Sequence, residues 1–236
     1  MSEEDLILII DMQNVYAKGQ KWACQNFQRT VSNIQSIIKH IECTRTAHEM
    51  DASDKPPAVL LTKFIAPENP AGTWKVYNQE NQDVNESSWL NELIPDMKSL
   101  EEKYPVYTKS TYSSLSIEQV RNAATSARDR GGCVVLTGVL AECCVLWTAC
   151  DAIDLGCRTI YLTDGISGLN KDKQAAVEHI LSGLDPMQIR LMKTREYLGT
   201  ISFPIVQTEV QAVQNFKHHS PDLDPVYSGN MSRRLP

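Results

Sequence analysis

The chain has 236 residues, a length that fits one α/β domain with a tail better than two domains. Its net charge of −6 argues against nucleic acid as a partner, because a nucleic-acid surface needs clustered positive charge. No apolar run approaches the ~18 residues of a membrane span, and the acidic start Met1–Asp5 is unlike a signal peptide, so we expect a cytoplasmic protein that contacts no membrane.

Strand-like and helix-like segments then alternate along the chain. Apolar runs predict five strands and a weaker sixth, at Leu6–Ile10, Ala58–Phe64, Tyr104–Lys109, Cys133–Val139, Arg158–Asp164 and Phe203–Gln207. Helical spacing of apolar residues occupies residues 31–41, 117–129, 142–155 and 172–181. This alternation predicts a Rossmann-like, three-layer α/β/α fold around a mostly parallel sheet of about six strands.

Two long stretches break the alternation. Residues 44–57 are polar and end in two prolines, which predicts a surface loop. Residues 65–88 are rich in Pro, Gly, Asn and Gln, and a loop of that length is usually either functional or disordered. We therefore expect one domain over residues 1–207, followed by a tail or arm over residues 208–236.

Reactive side chains follow three of the predicted strands. Asp11 follows the first strand, Lys109 ends the third, and Cys144 lies just beyond the fourth, where a helix begins. Ligands of open parallel sheets bind outside the carboxyl ends of the strands, so these side chains are expected to meet. A carboxylate, an ammonium group and a thiol together suffice for nucleophilic catalysis.

The chemistry of these three groups is mutually consistent. A thiol pKa falls at a helix N-terminus and beside a cation such as Lys109, which predicts an activated Cys144. Asp11 would accept the thiol proton and return it to a leaving amine, and backbone N–H groups of the turn would bind an oxyanion. Each residue alone is more often structural, as a cap, a solvated end or a packed thiol. Their joint position favours catalysis.

Three segments also match the motifs of a known family. Leu8–Asn14 is similar to an aliphatic run into D-x-Q-N, and Lys109–Ser113 is similar to K-x-x-Y-S. Gly138–Ala149 is similar to G-V-x-T-[DE]-x-C-V-x-x-T-A. From about residue 6 to 207 the chain therefore resembles the isochorismatase-like cysteine hydrolases, which include nicotinamidase and N-carbamoylsarcosine amidase.

The resemblance implies roles for particular residues. Asp11, Lys109 and Cys144 take the positions of the catalytic triad, and Cys143 becomes a neighbour of the nucleophile. A cis peptide bond is expected at Val139–Leu140, with the N–H groups of Leu140 and Cys144 forming the oxyanion hole. The implied reaction is cleavage of a C–N bond of a small amide, ureido or carbamoyl substrate through a Cys144 thioester. Family members are usually dimers or larger, so a homo-oligomer is expected.

The chain departs from the family at two places. Ala141 stands where the family has Thr. Nicotinamidases carry an Asp and two His after the second strand to hold a metal, whereas here no histidine lies between His48 and His179. We therefore expect no catalytic metal and no cofactor, and nicotinamide is disfavoured as the substrate.

Three further residues are candidates for substrate binding, each with an alternative. Gln13 would orient Asp11 or touch substrate. Tyr112 would contact substrate or pack on the neighbouring helix. Trp74, in the long loop, would line the pocket or pack on a partner subunit.

Three other functions remain open. An isochorismatase-type vinyl-ether hydrolase is disfavoured, because those relatives lack the nucleophilic cysteine. A non-catalytic scaffold is disfavoured, because an idle site has no physical need for a buried ion pair beside a thiol. A redox-sensing thiol protein is the weakest alternative, because adjacent cysteines such as Cys143 and Cys144 rarely form an unstrained bridge.

Overall fold

Six strands form one sheet in a computed structural model that describes residues 1–48 and 57–199. The order is β3-β2-β1-β4-β5-β6, and every neighbouring pair is parallel. The strands are β1 (Leu6–Ile10), β2 (Ala58–Phe64), β3 (Val106–Lys109), β4 (Cys133–Val139), β5 (Arg158–Ser167) and β6 (Ile189–Met192). The predicted parallel α/β fold is confirmed.

Helices connect the strands and cover the sheet. They are α1 (Phe27–His48), α2 (Trp74–Glu80), α3 (Gln82–Asn85), α4 (Ser88–Asn91), α5 (Pro95–Lys98), α6 (Glu118–Asp129), α7 (Leu146–Asp154), α8 (Lys171–Ser182) and α9 (Thr194–Gly199). Short 3₁₀ turns lie at Asn14–Tyr16 and Ser114–Ser116, and a π-helical turn occupies Ala141–Val145. Within the described ranges, no helix is long and apolar enough to cross a membrane.

The core lies on both faces of the sheet. β1 is buried along its whole length, so its side chains alternate between two apolar clusters. Ile7 and Ile9 pack on the face covered by the apolar stripe of α1, and Leu6, Leu8 and Ile10 pack on the face covered by α6, α7 and α8. This produces the three layers that the sequence predicts.

The sixth strand differs from the prediction. β6 is Ile189–Met192, and among residues 1–48 and 57–199 it pairs with β5 alone. The sequence analysis missed it because it is a four-residue edge strand whose apolar run is interrupted by Arg190. The predicted strand at residues 203–207, and the predicted domain boundary at residue 207, lie outside the described residues.

The two predicted loops also need correction. α1 continues to His48, so the segment expected as a surface loop from residue 44 is partly helical. The long segment over residues 65–88 contains α2 and α3. Its Asn- and Gln-rich composition concealed two short helices, because they bury little apolar surface of their own.

Candidate active site

The three predicted strand-end residues meet at one edge of the sheet. Asp11 follows β1, Lys109 ends β3, and Cys144 lies in the π-helical turn after β4. The Lys109 Nζ lies 2.6 Å from Asp11 Oδ2 and 3.3 Å from Cys144 Sγ. Their exposed fractions are 0% for Asp11 and 3% for each of the others, so the three groups interact out of water.

Close packing of β1 against β4 builds the edge. Gly138 pairs with Ile10 and has φ 106°. A Cβ atom at position 138 would lie 2.1 Å from the Ile10 carbonyl oxygen, so only glycine fits there. Asp11 itself has φ 51°, a left-handed conformation that aspartate tolerates better than most residues.

The turn before Cys144 exposes a backbone donor. The Val139–Leu140 peptide bond is cis. The Leu140 carbonyl accepts hydrogen bonds from the N–H groups of Cys143 and Val145, at 3.1 Å each. The Leu140 N–H, in contrast, donates to no acceptor among residues 1–48 and 57–199. It is a free donor a few residues from the thiol.

Burial and charge set the protonation states. Burial lowers the pKa of Lys109, but the interactions with Asp11 and Cys144 outweigh this effect and the net shift is upward, so Lys109 is a cation. Burial raises the pKa of the Cys144 thiol well above its ordinary value, and the Asp11 carboxylate raises it further, against the opposing effect of Lys109. The lowered thiol pKa predicted from the sequence is therefore wrong for this resting site, because desolvation dominates.

A group of buried hydroxyls surrounds the carboxylate. The Thr62 Oγ1 hydroxyl donates to Asp11 Oδ1 at 2.7 Å and lies 3.4 Å from Ser114 Oγ. Thr148 Oγ1 accepts from the Ser114 N–H at 2.9 Å and donates to the Cys144 carbonyl at 2.6 Å. The sequence analysis missed these residues. In the sequence, the sign that could have revealed Thr62 is a hydroxyl residue within the apolar run of β2.

Aromatic side chains cover the ammonium group and continue outward. The Lys109 Nζ lies 5.3 Å from the Phe64 ring centroid, a cation–π contact. The Trp74 ring centroid is 6.1 Å from that of Phe64, 5.1 Å from that of Tyr77 and 5.4 Å from that of Tyr112. Two predicted substrate-binding residues, Trp74 and Tyr112, are thus in contact with each other beside the site. Phe64 was not predicted as a residue of the site, whereas Tyr77, like Trp74, was expected to line a pocket or to pack on a partner subunit.

The Gln13 side chain binds backbone groups. Its Oε1 accepts from the Phe64 N–H at 2.8 Å, and its Nε2 donates to the carbonyls of Phe64 at 3.0 Å and Asn91 at 2.8 Å. The residue is buried. These contacts are with backbone groups and not with Asp11, so the role of Gln13 toward Asp11 or substrate stays a prediction.

The described part of the chain offers no group of three or more His, Cys, Asp or Glu side chains that could hold a metal ion. The end of β2, where nicotinamidases begin their metal-binding segment, carries Phe64 here. Its ring lies over Lys109, so this position supplies an apolar surface beside the ammonium group.

Comparison with known proteins identifies the family. A family model for the Isochorismatase domain matches residues 5–193. A search of curated proteins finds no match. Among solved structures, an isochorismatase-like hydrolase from Alkaliphilus metalliredigens is 19% identical, with a TM-score of 0.59, and the match covers 82% of this chain and 96% of that chain.

Two further solved structures are similar at comparable levels. The MAR1 ribonuclease from Caenorhabditis elegans is 16% identical, with a TM-score of 0.60, and the match covers 98% of this chain and 99% of that chain. The pyrazinamidase of Pyrococcus horikoshii, in complex with zinc, is 17% identical, with a TM-score of 0.53, and the match covers 80% of this chain and 99% of that chain. These likenesses show the fold alone. The family model matches most of this chain, so the chain belongs to the isochorismatase family, whose members are hydrolases.

Proposed function

We propose that this chain is a metal-independent cysteine hydrolase that cleaves a C–N bond of a small amide, ureido or carbamoyl substrate through a Cys144 thioester. One observation carries the proposal. Lys109 Nζ lies within 2.6 Å of Asp11 Oδ2 and 3.3 Å of Cys144 Sγ, and all three groups are buried. A buried charge pair is costly to maintain, so its position against a thiol supports a catalytic use.

The first half-reaction begins with a neutral thiol. Asp11 accepts the Cys144 proton as Sγ attacks the substrate carbonyl, so no free thiolate accumulates in the resting enzyme. The N–H groups of Leu140 and Cys144 bind the oxyanion of the tetrahedral intermediate. Asp11 then returns the proton to the leaving nitrogen, the C–N bond breaks, and an acyl thioester on Cys144 and an amine or ammonia result.

The second half-reaction reverses the roles with water. Asp11 accepts a proton from a water molecule as its oxygen attacks the thioester carbonyl. The C–S bond breaks, the proton returns to Sγ, and the acid is released. Lys109 stays protonated throughout, because its pKa is raised by Asp11 and Cys144 beyond what burial lowers. It holds Asp11 in place and offsets negative charge as it develops on sulfur.

The aromatic side chains indicate the kind of substrate. Trp74, Tyr77 and Tyr112 lie in contact beside the site, and Lys109, which is already paired with Asp11, is covered by Phe64. Aromatic rings favour flat, uncharged groups over carboxylates. We therefore favour an uncharged planar acyl group over a carboxylate-bearing ureide.

The alternatives make different use of the same site. A vinyl-ether hydrolase of the isochorismatase type would not require the thiol, so replacing Cys144 would leave its rate nearly unchanged. A scaffold without activity would turn over nothing, although the fold would survive the same replacement. In a thioester enzyme, by contrast, replacing Cys144 would abolish turnover, so the activity of this variant distinguishes the three functions.

The experiment is an ammonia-release screen with the full chain. The panel contains neutral aromatic amides such as benzamide, carboxylate-bearing ureides such as N-carbamoylglycine, and a vinyl ether whose ketone product is measured separately. Cys144→Ala should abolish ammonia release, whereas Cys143→Ala, the matched control on the adjacent thiol, should retain most of it. Equal activity of wild type and Cys144→Ala on the substrate that is turned over would reject the proposal.

We also propose a homo-oligomer. The ring of Trp147 packs on Tyr112 at 5.6 Å, yet 48% of the residue stays exposed in the single chain. A large half-exposed aromatic next to the substrate site is typical of subunit interfaces. Light scattering should give a mass of at least twice 26.5 kDa, and a monomer at micromolar concentration would contradict this.

A further inference from the structure

We propose that Thr62 is a positioning residue that holds the Asp11 carboxylate in the orientation needed for proton exchange with Cys144. This inference rests on the proposed function, because it assigns Asp11 the role of base. Thr62 lies in β2, next to β1, and is completely buried.

Thr62 holds Asp11 at two points. The Asp11 N–H donates to the Thr62 carbonyl at 3.1 Å, and the Thr62 hydroxyl donates to Asp11 Oδ1 at 2.7 Å. Backbone and side chain of the proposed base are therefore both tied to one residue of the neighbouring strand. An aspartate held in this way has little freedom to rotate about its side-chain bonds.

The two carboxylate oxygens have separate partners. Thr62 occupies Oδ1, and Lys109 Nζ donates to Oδ2 at 2.6 Å. With one oxygen bound on each side, the plane of the carboxylate is fixed relative to Lys109, whose Nζ also lies 3.3 Å from Cys144 Sγ. Without the Thr62 hydroxyl, Lys109 would be the one remaining hydrogen-bond partner of the carboxylate among the described residues, and the carboxylate could rotate about that single contact.

The proton positions extend this arrangement toward the nucleophile. A hydroxyl has one proton to donate, and the ionised carboxylate has none, so the Thr62 proton points to Asp11. In the 3.4 Å contact between the hydroxyls of Thr62 and Ser114, Ser114 must then be the donor. The Ser114 N–H donates to Thr148 Oγ1, which donates to the Cys144 carbonyl. Buried hydroxyls thus connect the proposed base to the nucleophile turn.

Packing alone does not explain the hydroxyl. Valine has nearly the shape of threonine and suits a buried strand equally well, and burying a hydroxyl costs free energy unless it is hydrogen-bonded. Thr137 provides a matched control. It is completely buried in β4, and its hydroxyl donates to the Leu8 carbonyl at 3.1 Å, its one side-chain hydrogen bond within the described part of the chain.

The test measures the pH midpoint of Cys144 alkylation by iodoacetamide, with peptide mapping, and therefore needs no substrate. Asp11 raises the pKa of the Cys144 thiol, so Asp11→Asn should lower the midpoint. Thr62→Val should move the midpoint part of the way toward that of Asp11→Asn, because a carboxylate that rotates away from Cys144 raises the thiol pKa less. Thr62→Ser and Thr137→Val should both keep the wild-type midpoint.

A second readout uses any substrate found in the ammonia screen. Loss of one hydrogen bond to a charged group corresponds to a fall of about 10- to 100-fold in kcat for Thr62→Val, with KM changed less than about twofold if substrate binding is untouched. Thermal unfolding of each variant shows whether it is folded. An unchanged alkylation midpoint in folded Thr62→Val would overturn the inference. An unchanged midpoint in Asp11→Asn would instead overturn the proposed role of Asp11.

Discussion

Gly138 and Ile10 approach so closely that the backbone of β4 touches that of β1 immediately before the site. A Cβ atom at position 138 would lie 2.1 Å from the Ile10 carbonyl oxygen and 2.7 Å from the Ile10 nitrogen. Both neighbours are backbone atoms in the centre of the sheet, so neither can move without displacing a strand. This contact sets the distance between Asp11, which follows Ile10, and the turn that carries Cys144.

Gly138→Ala should therefore unfold the chain or greatly destabilise it. We expect a loss of at least about 3 kcal/mol in the free energy of unfolding, because a backbone clash adds to the strain of a positive φ. Urea denaturation measures the effect. Gly131→Ala is the control, since Gly131 also has positive φ, at 83°, but an added Cβ would have no atom within 4 Å. A loss of about 1 kcal/mol is expected there. Equal losses in the two variants would contradict the contact.

Removing one partner of the buried ion pair should cost more than removing both charges. Lys109→Met leaves the Asp11 carboxylate buried beside a thiol without its cation, and such a break costs about 3–5 kcal/mol. The double variant Asp11→Asn, Lys109→Met removes both charges and should be more stable than Lys109→Met alone. A double-mutant cycle by urea denaturation checks this. Additive losses would show that the two groups do not interact.

The pH midpoint of Cys144 alkylation should be shifted upward, whereas the midpoint of an activated cysteine is shifted downward. Burial and Asp11 raise the thiol pKa, so the wild-type midpoint should lie above the ordinary value of 9.0. Asp11→Asn removes a negative charge beside the thiolate and should lower the midpoint. Lys109→Ala removes the cation and should raise it. Rapid Cys144 alkylation in wild type below pH 7 would contradict the resting protonation state.

Trp74 should contribute to substrate binding through its ring. Trp74→Ala removes contacts with Phe64, Tyr77 and Tyr112. We expect kcat/KM to fall about tenfold, mostly through a higher KM, because the substrate loses an aromatic surface to bind. Trp89→Ala is the control, because Trp89 is an exposed tryptophan that takes no part in this aromatic group. Steady-state kinetics on the screened substrate distinguishes them, and equal effects of the two changes would remove Trp74 from the site.

Chelation should leave the hydrolysis unaffected. The proposed reaction uses Asp11, Lys109 and Cys144, and none of its steps requires a metal. After dialysis against EDTA, the rate of ammonia release should equal that of the untreated enzyme. Loss of activity on chelation, with recovery on adding Zn²⁺, would contradict the metal-independent mechanism.

Much of the sheet was predictable from periodicity. The bounds of β1, β2 and β4 agree with the prediction, because long apolar runs in buried parallel strands carry a strong pattern. β6 was not predicted, because a short edge strand needs apolar residues at few positions. α2 was not predicted, because its sequence is mostly polar. A local pattern of apolar residues indicates which positions are buried, and both of these elements bury few side chains.

The site was predictable only in part, for a related reason. Asp11, Lys109 and Cys144 were found because strand topology brings strand ends together. The fixed amide of Gln13 and the hydroxyl of Thr62 were missed because their roles depend on partners 51 residues away in the chain. The raised thiol pKa was missed because it depends on burial, which exceeds the local effects of a helix end and a neighbouring cation.

The most direct test of the central claim is acylation by p-nitrophenyl acetate, followed by peptide mass mapping. The acetyl group should be found on Cys144 and not on Cys143, and it should be released by hydroxylamine as a thioester is. Acetylation of Cys143 in preference to Cys144, or of neither residue in the folded wild-type chain, would contradict the assignment of Cys144 as the nucleophile.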